Sequence, residues 1–332
     1  MIHTPYLLYL GNETDDLAVK TSRGVAQWRP SLCIGQYRNP SCPISLGLPD
    51  IDLHEAVLRG AKTLILGIAN AGGVLRQDTV KDVVAALEAG LDVASGLHVR
   101  LRDQLVIADA AARYGRRLFD VRDPPAHLPI GNGVKRSGRR LLTVGTDCSV
   151  GKMYATLAIE REMHRRGLLA DFRATGQTGI LINGSGVPVD AVVADFISGS
   201  VEWLSPGRLD GGWDLIEGQG SLFHPSYAGV SLGLLHGAQP DAIVLCHEPG
   251  REHMRGLPGR TLPDLATCLE TNLVAAKLTN PNVRAVGVAV NTSRLEAQDA
   301  QRVCAKVSDE LSLPCQDPIR TGVNLIVDKL LE

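Results

Sequence analysis

The sequence has no twenty-residue apolar run, no excess of charge of either sign, no closely spaced pair of cysteines and no internal repeat or low-complexity tract. Without a long apolar run there is no candidate membrane span. The charge balance, 34 basic against 36 acidic residues, gives no broad nucleic-acid footprint and no polybasic membrane surface. No charged-then-apolar leader opens the chain, so a soluble, cytoplasmic protein is expected. Seven scattered cysteines, at positions 33, 42, 148, 246, 268, 304 and 315, read as reduced and mostly buried thiols rather than a disulfide framework or a structural zinc site. Among the nine histidines, His247 and His253 are closest in a polar loop, but they lack the spacing of helical metal ligands. No metal is expected.

What is present is enough apolar residue, 44% of 332 positions, for two domains with a core in each. The first 125 residues alternate β-prone and helical runs: strands at Tyr6 to Leu10, Ser31 to Ile34 and Thr63 to Ile68, and helices at Leu53 to Arg59, Thr79 to Ala89 and Leu101 to Tyr114. Such alternation predicts a parallel sheet flanked by helices, a Rossmann-like α/β domain over residues 1–125. The stretch 126–139, which follows Pro124-Pro125 and carries Pro129 and a Gly/basic segment from Gly131, reads as a linker. Residues 140–332 then alternate strand and helix again, as a second parallel-sheet domain. In the first domain Gly67 to Gly73 and Ser95 to Arg100 follow strands and read equally as connecting turns or substrate loops, with Arg100 a candidate carboxylate clamp.

The second domain opens on Leu141-Leu142-Thr143-Val144, then Gly145-Thr146-Asp147-Cys148-Ser149-Val150-Gly151-Lys152-Met153, then a helical pattern from Tyr154 to Arg166. A strand-to-helix turn of this composition predicts a phosphate-binding loop, with backbone N–H groups converging on an anion and Lys152 adding a point charge. The expected Ser or Thr after the lysine is Met153. A thioether is a poor Mg²⁺ ligand, so the phosphate cradle remains while one grip on the metal of a nucleoside triphosphate is missing. The first glycine, Gly145, also lies one residue earlier than the usual spacing.

Three later strand ends join this loop. Asp171 to Thr175 runs into Gly176-Gln177-Thr178-Gly179, Trp213 to Glu217 runs into Gly218-Gln219-Gly220-Ser221, and Ala285 to Val290 ends at Asn291, whose amide suits a purine edge. Over roughly residues 140–295 this order resembles dethiobiotin synthetase and its relatives among P-loop proteins. Gly145 to Lys152 matches their phosphate loop, Glu217-Gly218-Gln219-Gly220 their metal-holding turn and Asn291 their strand-end asparagine; Met153 and the two-domain length depart from it. A fuller similarity, carried by the phosphate loop through Met153, Gly-Gln-Thr-Gly at 176–179, Glu-Gly-Gln-Gly-Ser-Leu at 217–222 and His224-Pro225, is to the D-glutamate N-acetyltransferase family.

That resemblance implies a Rossmann-like N-terminal domain, a P-loop NTPase-like C-terminal domain, and acetyl transfer from acetyl-CoA to D-glutamate or a similar amino acid in D-amino-acid catabolism. Acetyl-CoA is then the co-substrate, held by Gly145 to Met153 and Asn291, with no metal required. The expected partner is a small-molecule substrate, and the expected assembly a homo-oligomer. An ATP-dependent ligase or kinase of the dethiobiotin-synthetase type and a non-catalytic nucleotide sensor are the alternatives. Acetyl transfer needs a base for the amine proton. Glu217 is the first candidate, Asp147 the second and Asp195 the third, with His224 and His236 as substitutes. Cys148 reads as a small loop side chain in preference to an acylated nucleophile. Arg173, Gln177 and Thr178 are the candidates for holding substrate carboxylates, together with Arg100.

Overall fold

The structure, a computed structural model, describes residues 1–16, 18–68 and 75–332. The chain forms two compact units, one of Met1–Pro124 with Gln177–Pro188 and one of Pro125–Gly176 with Val189–Glu332. Each is built on a parallel sheet.

In the first unit the strands are β1 (Tyr6–Gly11), β2 (Cys33–Arg38), β3 (Thr63–Leu66), β4 (Asp92–Ser95) and β5 (Leu118–Asp120), in the order β2-β1-β3-β4-β5. Both β1 and β3 are buried along their whole length, which is why they read as continuous apolar runs rather than alternating ones. The connecting helices are α1 (Lys20–Trp28), α2 (Leu53–Leu58), α3 (Gln77–Ala89) and α4 (Leu105–Tyr114). Helix α1 is absent from the sequence-level reading; only Thr21, Ser22, Gly24, Val25 and Trp28 of it are buried, too few apolar positions to set a period. The single helix expected over Leu101 to Tyr114 breaks at Gln104. A short 3-10 turn precedes the break, where the Asp120 carboxylate accepts from Leu101 N at 2.7 Å and Arg102 N at 3.3 Å. With strands on both sides of β1, the connections diverge at the C-terminal ends of β1 and β3. There Ser22 N donates to Gly67 O at 3.1 Å, and a Cβ on Gly67 would stand 2.0 Å from Ser22 Oγ. Of the expected substrate loop Gly67 to Gly73, Ala69 to Gly73 lie outside the described residues.

The second unit carries β6 (Arg139–Gly145), α5 (Lys152–Arg165), β7 (Ala170–Arg173), α7 (Ile197–Leu204), β8 (Trp213–Ile216), α8 (Ala228–Ala238), β9 (Ala242–His247), α9 (Leu265–Lys277), β10 (Arg284–Val290), α10 (Ala297–Leu311), β11 (Cys315–Gln316) and α11 (Asn324–Leu331). Residues 177–179, expected as part of a turn in this domain, instead open helix α6 (Gln177–Asn183), which belongs to the first unit and packs on α1: Gly24 would place a Cβ 3.5 Å from Ile182 Cδ1. The sheet order is β11-β10-β9-β6-β8-β7, all parallel. Strand β6 is therefore central, and the loop after it is flanked by the ends of β8 and β9.

The expected linker is folded onto this unit. Arg136 donates to Ser205 O at 2.8 Å and to Gly237 O at 2.8 Å, and a Cβ on Gly199 would meet Pro129 O at 1.9 Å. The fully buried Arg140, just after the stretch, donates to Ser137 O and Pro206 O and holds its end in place.

Candidate active site

Between β6 and α5 the chain turns through Thr146 to Gly151. Gly151, at φ 101°, takes a left-handed conformation and has no side chain to cap α5. Among the described residues, the backbone N–H groups of Ser149, Val150, Gly151, Lys152 and Met153 meet no protein acceptor, which is the donor set an anion needs. Lys152 is only 6% exposed; its Nζ donates to Asp147 O at 2.8 Å, and burial pushes its pKa down. Gly218, at the end of β8, lies against the floor of the loop: a Cβ there would stand 1.7 Å from Thr143 O and 3.0 Å from Lys152 Cδ.

Asp147 is fully buried, and both its oxygens are engaged. Oδ1 accepts from Cys148 N at 2.7 Å; Oδ2 accepts from Arg251 Nη1 at 2.8 Å and from Arg255 N at 2.8 Å. The second candidate base is thus the anchor of the segment after β9, a role no spacing rule announces. Arg251 also donates to Cys148 O at 2.6 Å and Ser149 O at 3.1 Å and pairs with Glu248. On the neighbouring strand, His247 Nδ1 lies 3.0 Å from Thr146 Oγ1, and burial, reinforced by the Arg251 charge, lowers its pKa to about 4. Its imidazole is neutral near pH 7 and pins the first turn of the loop. His253, the nearest histidine in sequence, is exposed, and its backbone bridges to Thr261.

Glu217 stands at the end of β8 and is 4% exposed. One carboxylate oxygen, Oε2, accepts from Thr175 N at 2.9 Å and Gly176 N at 3.2 Å, while Thr175 Oγ1 donates to Glu217 O at 2.6 Å. Burial raises its pKa to about 7, against the opposing pull of those N–H groups, Gln219 and the Lys152 charge. A carboxyl group poised near neutrality beside a phosphate cradle can exchange a proton at physiological pH.

The other candidates divide. Asn291 flanks the loop, its backbone N donating to His247 O at 2.8 Å and its Cβ lying 3.8 Å from where a Gly151 Cβ would be. Asp195 stands on no strand tip; it is exposed in a 3-10 turn before α7. Arg173 ends β7 but turns back along the sheet to the fully buried Asp214, with Nη2 at 2.8 Å, which fixes its guanidinium as structural. Gln177 and Thr178 open α6 in the first unit, where Thr178 Oγ1 lies 3.2 Å from Thr21 Oγ1 and Gln177 Oε1 accepts from Arg122 at 3.4 Å. Arg100 pairs with Asp123 at 2.8 Å. His236 lies in the last turn of α8, which runs back toward the start of β9 and so away from the loop.

Asp147, Cys148 and His224 present ligand atoms within 4.8 Å of one another. Two of the three are engaged within the protein: Asp147 with Arg251, and the His224 ring with Arg255 O at 3.0 Å through Nε2 and Ser226 N at 3.2 Å through Nδ1. The Cys148 thiol, which a helix N-terminus would activate, is instead pushed up by burial.

Comparison with known families agrees with this layout. Residues 129–327 match the domain of unknown function DUF1611_C P-loop domain, and residues 34–124 the DUF1611_N Rossmann-like domain. The chain belongs to the DUF1611 family. A crystal structure of a DUF1611 family protein from Anabaena variabilis superposes with a TM-score of 0.87 at 31% identity, over 99% of each chain. Relatives named D-glutamate N-acetyltransferase are 52% identical over 330 residues in Tritonibacter scottomollicae and 49% identical over 329 residues in Pseudoalteromonas sp., covering 99% of both chains in each case. The two-domain α/β architecture expected from the sequence, Rossmann-like then P-loop, is that of the DUF1611 family. Among the described residues no helix is long and apolar enough to cross a membrane.

Proposed function

We propose that this DUF1611 protein is an N-acetyltransferase that moves an acetyl group from acetyl-CoA to the amine of D-glutamate or a closely similar amino acid. The relatives' name, held across the full length of the chain at about half identity, supports the reaction class. The observation that carries the chemistry is Glu217, with a pKa of about 7, at the strand end beside Lys152 and the phosphate loop.

In this reading the diphosphate of CoA lies on the N–H groups of Ser149 to Met153 with Lys152 beneath it. The donor set fits a diphosphate, and Met153 does not impair it, because acyl transfer has no phosphoryl group to expel with Mg²⁺. Glu217 takes a proton from the substrate ammonium. The free amine then attacks the thioester carbon, the C–S bond breaks, the second proton lost by the nitrogen ends on the departing thiolate to give the amide and CoA, and Glu217 returns its own proton to solvent. Atoms and charges balance without a metal, so turnover in excess EDTA is expected.

Calorimetry on Lys152→Ala tests the cofactor site: loss of a charge-assisted bond should weaken CoA binding by about 1.5–3 kcal/mol. Unchanged affinity would move the cofactor elsewhere. Activity abolished by EDTA and restored by Mg²⁺ would favour ATP chemistry instead.

A further inference from the structure

The segment after β9 brings two arginines to the crest of the phosphate loop, and they are not equivalent. Arg251 is neutralised, by Asp147 at 2.8 Å and by Glu248. Arg294, further along, pairs with the same Glu248 at 3.3 Å. Arg255 is exposed, donates from Nη1 to Ser149 Oγ, and has no carboxylate partner among the described residues. Its backbone is nonetheless fixed: Arg255 N is held by the buried Asp147, and its neighbour Met254 is 3% exposed. The residue it touches, Ser149, holds a left-handed φ of 55°, so the crest is pinned in a conformation non-glycine residues rarely adopt. The loop therefore offers two cations without acid partners at two depths, Lys152 buried beneath and Arg255 at the solvent edge.

We propose that Arg255 recognises a second anionic group of the cofactor, a phosphate monoester separate from the diphosphate, and that this group is the 3′-phosphate of CoA. The assignment rests on the proposed use of acetyl-CoA. A buried ammonium suits a diphosphate drawn into the loop. A guanidinium at the surface, with one N–H on Ser149 and its remaining donors unclaimed by any acid, suits a solvent-facing phosphate dianion that it can grip in a fork. Arg255 thereby acts as a selector for CoA over ligands lacking that phosphate, and because the site is open to solvent its contribution falls with added salt.

Titration of CoA and of 3′-dephospho-CoA into the wild type and Arg255→Ala, at low and high ionic strength, tests this. The wild type should prefer CoA by about 10- to 100-fold at low salt, the range of one charge-assisted contact. Arg255→Ala should bind CoA no better than 3′-dephospho-CoA while keeping the wild-type affinity for the latter. Equal weakening of both ligands would overturn the assignment and leave Arg255 as a brace for Ser149. A wild type that binds both equally would overturn it too, with the acetyl-CoA reading intact. A wild type that binds neither would remove the acetyl-CoA reading and this inference with it.

Discussion

Glu217 sits where burial and hydrogen bonding act in opposite directions, and burial wins, leaving a pKa of about 7 instead of 4.5. For a base the active form is the carboxylate, so kcat/KM should rise with pH through about 7 and level off above it. Glu217→Gln should keep CoA affinity, abolish that rise and lower kcat by roughly 10²–10⁴, the range for a positioned general base. Joint loss of binding and turnover would mean that the residue only ties the β7 end to β8. The same shift bears on stability. A carboxyl whose folded pKa is raised contributes stability that is complete below its unfolded value near 4.5 and is lost as pH rises through about 7. At about 1.4 kcal/mol per unit, that is a loss of about 3 kcal/mol, which urea unfolding at acid and neutral pH should reveal in the wild type and not in Glu217→Gln. The strand-end carboxylate and glycines made this residue legible in the sequence. Asp147 was the second candidate, and its Arg251 and Arg255 partners, more than one hundred positions away in the chain, engage the carboxylate oxygen a base would use.

At the scale of elements, the site is a set of strand ends ordered by the sheet. Strand β6 delivers the loop, β8 delivers Glu217 and Gly218, β9 delivers His247 and the arginine segment, and β10 delivers Asn291. Gly218 is the tightest joint among them, because its Cα abuts the backbone of β6 rather than a side chain that could move. Gly218→Ala should destabilise the protein by about 1–3 kcal/mol or more through overpacking. Because the methyl would also press on Lys152, CoA affinity should fall with it. Denaturant midpoints and CoA titrations on this variant check both, and a variant with wild-type values for each would show that β8 can shift at no cost. The glycine is visible in sequence. Its contact with Thr143, across two strands 75 residues apart in the chain, is not.

For the whole molecule, the notable feature is the excursion of residues 177–188 into the first unit. Leu181 and Ile182 are fully buried, and in this unit they meet Gly96 and Gly24, while Gly184 O accepts from Ile2 N at 2.8 Å. Full burial of two such side chains is worth about 3–6 kcal/mol, a large share of the roughly 5–15 kcal/mol by which a domain is stable. A fragment of residues 1–124 should therefore lack a cooperative unfolding transition or show one at markedly lower denaturant than the same fragment with 177–188 fused to it. Equal midpoints by circular dichroism would show that the excursion is dispensable.

Local pattern alone determined the two α/β domains, many of the strands and the helices α2 to α5, the phosphate loop with its Met153 and the strand-end glutamate, because apolar periodicity and turn chemistry are written over a few consecutive residues. Tertiary structure alone decided what long-range pairing controls. It folded the stretch 126–139 onto the second unit, turned Arg173 toward Asp214, made Asp147 an anchor and brought Arg255 to Ser149. A charged side chain's role depends on which opposite charge reaches it and how much water remains around it. Both are properties of residues far apart in the chain, and no spacing rule carries them.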